Sequence, residues 1–165
     1  MIGVFKVDGK FSLKKLIASI LISEGVGIAS SVFSMGSAGI YKKLAQPWFA
    51  PPAWIFPPVW GLLFLLIGIA AYRIWMLGTD RKDVRNALLY YGIQLIFNFL
   101  WPIIFFTAGL RGLAFVEIII LLAAIIITTI KFFKLDKTAG YLMLPYVLWV
   151  AFASILNYSL WQLNR

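Results

Sequence analysis

The chain has no cysteine and no histidine among its 165 residues. Without cysteine there is no disulfide, no thiolate nucleophile and no ligand set for an iron–sulfur cluster. Without histidine the commonest general base, the commonest transition-metal ligand and the usual axial ligand of haem are all missing. Acidic residues are scarce as well: six Asp and Glu stand against fifteen Lys and Arg, a net charge of +9. No glycine-rich loop leads into a helix with the lysine that a phosphate site needs; Gly36 and Gly39 have none. These absences argue against conventional hydrolases, ATPases and dehydrogenases, and they predict no metal site.

What is present is apolar. Hydrophobic residues make up 62% of the chain and charged ones 13%, with a mean hydropathy of +0.93. That is far from an ordinary soluble domain. Five stretches, near 13–33, 58–77, 84–105, 113–132 and 140–160, each approach the ~20 residues a helix needs to cross the hydrocarbon layer. Runs such as GLLFLLIGIAA lack the period-two alternation of a membrane barrel. The expected fold is therefore all-α, a five-transmembrane-helix bundle forming a single integral membrane domain over 1–165. The first span is expected to be retained rather than cleaved as a signal peptide, because Glu24 interrupts its apolar run. Residues 1–12 read as an interfacial or partly disordered segment.

Charge sets an orientation. The N-terminal tail and the second and fourth loops carry eleven of the fifteen cations, leaving Lys42, Lys43, Arg111 and Arg165 on the other side. Positive-inside asymmetry then predicts a cytoplasmic N-terminus and an outside C-terminus in a bacterial cell membrane. The same cations fit an anionic inner leaflet, so the lipid bilayer rather than nucleic acid is the expected partner of the net charge.

The segment Gln46–Trp60, QPWFAPPAWIFPPVW, holds five prolines, three tryptophans and two phenylalanines without a charge. Proline fixes φ, removes a donor and keeps the preceding residue extended. Residues 34–57 are thus expected to form a stiff outer lid resting on something apolar. Beneath it, polar and aromatic residues fall at one depth on separate spans. Gln94, Asn98 and Trp101 share a face of the third, and Trp149, Ala153 and Asn157 share a face of the fifth. Trp60 opens the second span with Phe64 a turn below, Glu117 lies a turn into the fourth, and Ser30 and Ser31 end the first. Convergence of that kind is the mark of a cavity.

Plainer readings apply to single residues. Trp75 and Trp161 fit an interfacial aromatic belt. Asn98 and Asn157 are equally explained as hydrogen-bonding glue between helices, a contribution of about 0.6–2 kcal/mol each. Glu117 could be stabilised by its helix N-terminus or protonated. Glu24 is either neutral inside the bundle or facing an aqueous cleft. Gly25 and Ala29 form a small-residue pair that suits a dimer face.

The blocks QPWFAPPAWIFPPVWG, QLIFNFLWPIIFF and LPYVLWVAFASILNYSLW resemble the signature blocks of the TspO family, the tryptophan-rich sensory or translocator proteins. The resemblance runs from about Gly25 to Trp161 in conserved order. It implies five membrane helices, usually a homodimer, and an outer-half pocket closed by the first loop. It also implies that no cofactor is required. The ligands it implies are porphyrins such as protoporphyrin IX, hydrophobic drugs of the benzodiazepine-site type and, in some members, sterols. Carried onto this sequence, the family's pocket aromatics are Trp60, Trp101 and Trp149, its polar contact is Asn98 and its small wall residue is Ala153. Phe56, Leu113 and Leu156 take further lining positions. Trp60 and Trp149 match the pair implicated in light-dependent porphyrin breakdown, the enzymatic alternative to sequestering or sensing; a porphyrin or sterol transporter is a further alternative.

The chain also departs from the family pattern. Trp48-Phe49 stands where Ser-Trp is frequent, Gln46 where a lysine is common, and Leu113 where an aromatic is usual. A sterol-type pattern at the C-terminus is not met, since six residues separate Tyr158 from Arg165.

Overall fold

The computed structural model describes residues 2–165, and its long helices are those the apolar runs demand. A helix satisfies its own backbone hydrogen bonds, which lipid cannot do. α1 spans Leu13–Phe33, α2 Ser37–Lys43, α3 Phe56–Met76, α4 Lys82–Pro102, α5 Arg111–Leu135 and α6 Lys137–Leu163. All but α2 are long and apolar enough to span a bilayer. Short 3₁₀ turns occupy Ile2–Phe5 and Ala53–Ile55, and no strand is formed among the described residues.

Most long helices overrun their apolar cores by two or three residues at an end, with Lys82, Arg111 and Lys137 as their first residues. Charged heads remain at the interface while their stems continue the helix, so hydropathy alone places the boundary too far inside. The loop at 34–57 is also more structured than expected, because Ser37–Lys43 is helical. Pro57 and Pro58 sit in the first turn of α3, where a missing N–H costs nothing.

Around the bundle, α1 packs on α3, α3 on α6, α6 on α5 and α5 on α4, with a lighter α1–α4 contact closing the ring. α1 and α3 come into close backbone contact at Gly68. A Cβ there would lie 3.1 Å from the Ile20 Cα and 3.2 Å from the Ser19 carbonyl oxygen, so any larger residue would push backbone from backbone. Aliphatic side chains such as Leu21, Leu62, Ile96, Ile126 and Leu148 point away from the core and remain exposed. Such a surface belongs against lipid.

The end of the bundle opposite the lid is tied by one ion-pair cluster. Arg73, on α3, donates through Nε and Nη2 to both carboxylate oxygens of Asp136 at 2.9 and 2.7 Å. Arg73 is buried and Asp136 partly so. Asp136 also caps α6, accepting from the Ala139 N–H. Burial alone would push the Asp136 carboxyl up; the Arg73 hydrogen bond, the α6 N–H groups and the Arg73 charge outweigh it and hold the group below its ordinary value. Arg73 further donates to the Val4 and Lys6 carbonyls, while the Tyr72 hydroxyl donates to the Phe5 carbonyl and accepts from the Ser12 N–H. Of the two expectations for the N-terminal segment, interfacial or partly disordered, the second is not met: it is strapped across the helix ends with Val7 buried. Met1 lies outside the described residues.

Candidate functional site

A cavity of about 360 Å³ opens in the lid half of the bundle, within the size range of small-molecule sites. Every long helix contributes to it. From α3 come Phe56, Trp60, Gly61 and Phe64; from α4, Asn98 and Trp101; from α6, Trp149, Ala153, Leu156 and Asn157. α5 adds Ile118 and Leu121, and α1 adds Glu24, Gly27 and a set of serines. Gly27 is required where it stands: a Cβ would lie 2.5 Å from the Phe64 ring, so glycine lets that ring lie against α1.

Three groups of aromatic rings form the wall. Phe56 meets Trp149 edge-on at 6.0 Å, and Trp60 meets Tyr146 at 6.3 Å and Phe64 at 5.7 Å. Trp101 stacks on Phe105 at 5.2 Å. Phe105 reaches the site because α4 does not end cleanly. Pro102 removes one helical donor, and the chain continues through Ile103–Thr107 as a π-helical turn closed by the Ala108 N–H on the Ile103 carbonyl. Such a turn re-aims side chains and is frequent at functional sites.

Polar groups behind and within the wall are held precisely. Asn98 Nδ2 donates to the Tyr146 hydroxyl at 2.7 Å, and that hydroxyl donates to Gln94 Oε1 at 2.7 Å. Trp101 Nε1 donates to Asn157 Oδ1 at 2.9 Å, and Asn157 Nδ2 donates to the Arg111 carbonyl. The glue reading of both asparagines and their place in the cavity wall are therefore both correct. Trp149 differs, for its Nε1 is buried with no hydrogen-bond partner among the described residues. A buried donor left unpaired costs free energy until a ligand or water accepts from it.

Over this chamber the lid is pinned rather than draped. The Tyr41 hydroxyl donates to the Pro51 carbonyl at 2.8 Å, and Gln46 Nε2 donates to the Tyr41 carbonyl at 2.8 Å. Burial pushes the Tyr41 phenol above its ordinary value, keeping it a neutral donor. Asn164, beyond α6, exchanges two hydrogen bonds with the Ala45 backbone at 2.9 Å each. Phe49 packs on Phe152, and Tyr41 on Phe56. Yet Trp48 and Trp54 are 96% and 73% exposed, so two of the lid's tryptophans face away from the cavity.

Seven of the residues expected at the site line it: Phe56, Trp60, Asn98, Trp101, Trp149, Ala153 and Leu156. Two do not. Leu113 is 54% exposed, because the inward face of α5 runs through Ala114, Ile118 and Leu121 and places Leu113 on the outward side. Glu117 is buried on that inward face but packs between helices rather than along the cavity, and neither carboxyl oxygen has a hydrogen-bond partner among the described residues. Ser30 and Ser31, expected at the lid end of the first span, do line the cavity. Sequence reasoning missed Tyr41, Phe105, Ser34 and Ser37, the last two of which continue from Ser30 at four- and three-residue steps.

Fold and site together define a class: a multi-pass helical membrane protein with an aromatic cavity under a proline-rich cap. Within it, the chain belongs to the TspO/MBR family, whose model matches residues 19–162. It is 40% identical to the tryptophan-rich protein TspO of Archaeoglobus fulgidus over 93% of this chain and 99% of that protein. With the tryptophan-rich protein TspO of Chlorobaculum tepidum it shares 38% over 84% and 89% of the two chains. The human translocator protein is 37% identical over 76% of this chain and 75% of its own.

Proposed function

We propose that this protein binds a flat, hydrophobic aromatic ligand of the porphyrin class in the cavity under the lid, sequestering or sensing it. The observation that carries the reading is the chamber itself: aromatic faces on α3, α4 and α6 enclose a space of about 360 Å³. Stacking surfaces suit a large π-system. The chain has no histidine or cysteine, the usual axial ligands of a haem iron, so a metal-free macrocycle suits the site better than a haem. Relatives named for sensing and for translocation agree with a ligand-responsive role. Protoporphyrin IX titration followed by tryptophan fluorescence tests the reading. Trp149→Ala combined with Asn98→Ala should weaken binding at least tenfold, and unchanged affinity would remove the site from consideration.

A second reading rests on Trp60 and Trp149 both facing the same chamber. Under light, either indole could give one electron to an excited porphyrin, with dioxygen as the terminal oxidant, so that bound porphyrin is broken down. Illumination with protoporphyrin IX and oxygen should then bleach the Soret band. Equal bleaching by the Trp60→Phe, Trp149→Phe double variant would discard any part for the protein. The cytoplasmic N-terminus, the bacterial membrane and a homodimer also belong to this proposal. Gly25 supports the last, being exposed with open space around its Cβ position, and cross-linking in the membrane tests it.

A further inference from the structure

The depth of each cavity residue follows from helix direction. α1, α4 and α6 run toward the lid, so the residues nearest their N-termini lie deepest; α3 and α5 run away from it, so the reverse holds. The floor is therefore built by Glu24, Phe64, Asn98, Leu121 and Trp149. Glu24 precedes the lid end of α1 at Phe33 by nine residues, roughly 13 Å at 1.5 Å per residue. Just beneath it, the tight contact of Gly68 on Ile20 and Ser23 closes the space between α1 and α3.

Glu24 is the one charged side chain among the described residues lining the cavity. It makes no hydrogen bond or ion pair with any described residue, whereas the other acids of the structure with a partner, Asp83 and Asp136, each hold an arginine. A carboxyl placed at membrane depth without a partner is costly unless water or a ligand supplies one. Around it the cavity is aromatic, which also favours a cation through the negative faces of the rings. Among the described residues no lysine or arginine lines the chamber; Arg111 lies against the Phe105 ring, 6.0 Å from its centre. The floor thus repels an anion and accepts from a donor.

We propose that Glu24 sets the ligand selectivity of the cavity: it receives a protonated or N–H-donating nitrogen carried by an aromatic ligand, and it excludes ligands that bring a carboxylate to the floor. The inference rests on the reading of this chamber as the ligand site. It also orients a dicarboxylate porphyrin, whose acid groups must point away from the floor while the macrocycle enters. Glu24 here is a specificity residue and performs no chemistry.

The test compares matched probes on purified protein by tryptophan quenching. Among porphyrins these are protoporphyrin IX, its dimethyl ester and a derivative bearing one aminoalkyl amide; among smaller ligands, an arylalkylamine and its N-acetyl form. Wild type should prefer each amine to its neutral counterpart by tenfold or more. Glu24→Gln, close in size, should abolish that preference and tighten protoporphyrin IX binding several-fold, while Glu24→Asp should keep the preference. Thermal unfolding of each variant checks that it is folded. Should porphyrins fail to bind at all, the porphyrin reading falls, and the arylalkylamine pair still decides on Glu24. An amine-to-neutral ratio unchanged in Glu24→Gln overturns the proposal, as does loss of the preference in Glu24→Asp.

Discussion

The two halves of this bundle are built on opposite principles. Away from the lid, close packing and satisfied polar groups prevail: Gly68 brings α1 onto α3, Arg73 and Asp136 share two hydrogen bonds, and Tyr72 binds the N-terminal strap. Toward the lid, the same helices separate around a chamber of about 360 Å³, and Trp149 Nε1 stays unpaired. One half supplies stability and the other spends it on a site. Stability and ligand affinity should accordingly respond to different substitutions.

The largest expected effect lies in the packed half. Arg73→Met leaves the partly buried Asp136 without its cation, a loss of about 3 kcal/mol, the low end for a buried pair, visible as a marked drop in thermal stability in detergent. The same pair has a pH signature. Because the folded carboxyl is held below its ordinary value of 3.8, its stabilisation is complete above that value and fades as pH falls through the lowered one. Thermal scans should change little from this pair between pH 7 and 5 and show its loss below about 4, a loss absent in Asp136→Asn.

Two glycines on α3 then sharpen the comparison, being seven residues apart on one helix. Gly68→Ala forces a Cβ against the Ser23 hydroxyl at 2.9 Å and the Ile20 backbone, and should cost about 1–3 kcal/mol. Gly61→Ala meets nothing within 4 Å and should stabilise by roughly 0.5–1 kcal/mol through helix propensity. Equal effects in the two would erase the distinction between halves. Smaller still, Tyr146→Phe strands Asn98 Nδ2 and Gln94 Oε1 and should cost about 1 kcal/mol. Asn164→Ala, at an exposed lid clasp, should barely alter stability yet speed ligand release in stopped-flow quenching.

Much of this was legible in the sequence, for a physical reason. Lipid forces helices, so apolar length alone located the spans, and helix direction then placed Trp60, Asn98, Trp101 and Trp149 in the lid half, where all four line one cavity, though from floor to rim rather than at the single depth expected. What failed was phase and pairing. Leu113 and Ala114 are neighbours in sequence, yet only Ala114 turns inward, and hydropathy does not distinguish two apolar residues. The Arg73–Asp136 pair joins residues 63 apart, a separation that no local pattern encodes. The lid shows both outcomes: its stiffness followed from proline, but which of its tryptophans turned inward did not. Trp60 faces the cavity; Trp48 and Trp54 face away.

The central claim is that the lid-half chamber is the ligand site. Ala153 lines it with little side chain to lose, so Ala153→Phe fills the chamber without removing any other contact. Protoporphyrin IX titrated against this variant, and followed by tryptophan quenching, should bind at least tenfold more weakly than to wild type while the protein stays folded. Wild-type affinity in a folded Ala153→Phe protein would show that porphyrin binds elsewhere.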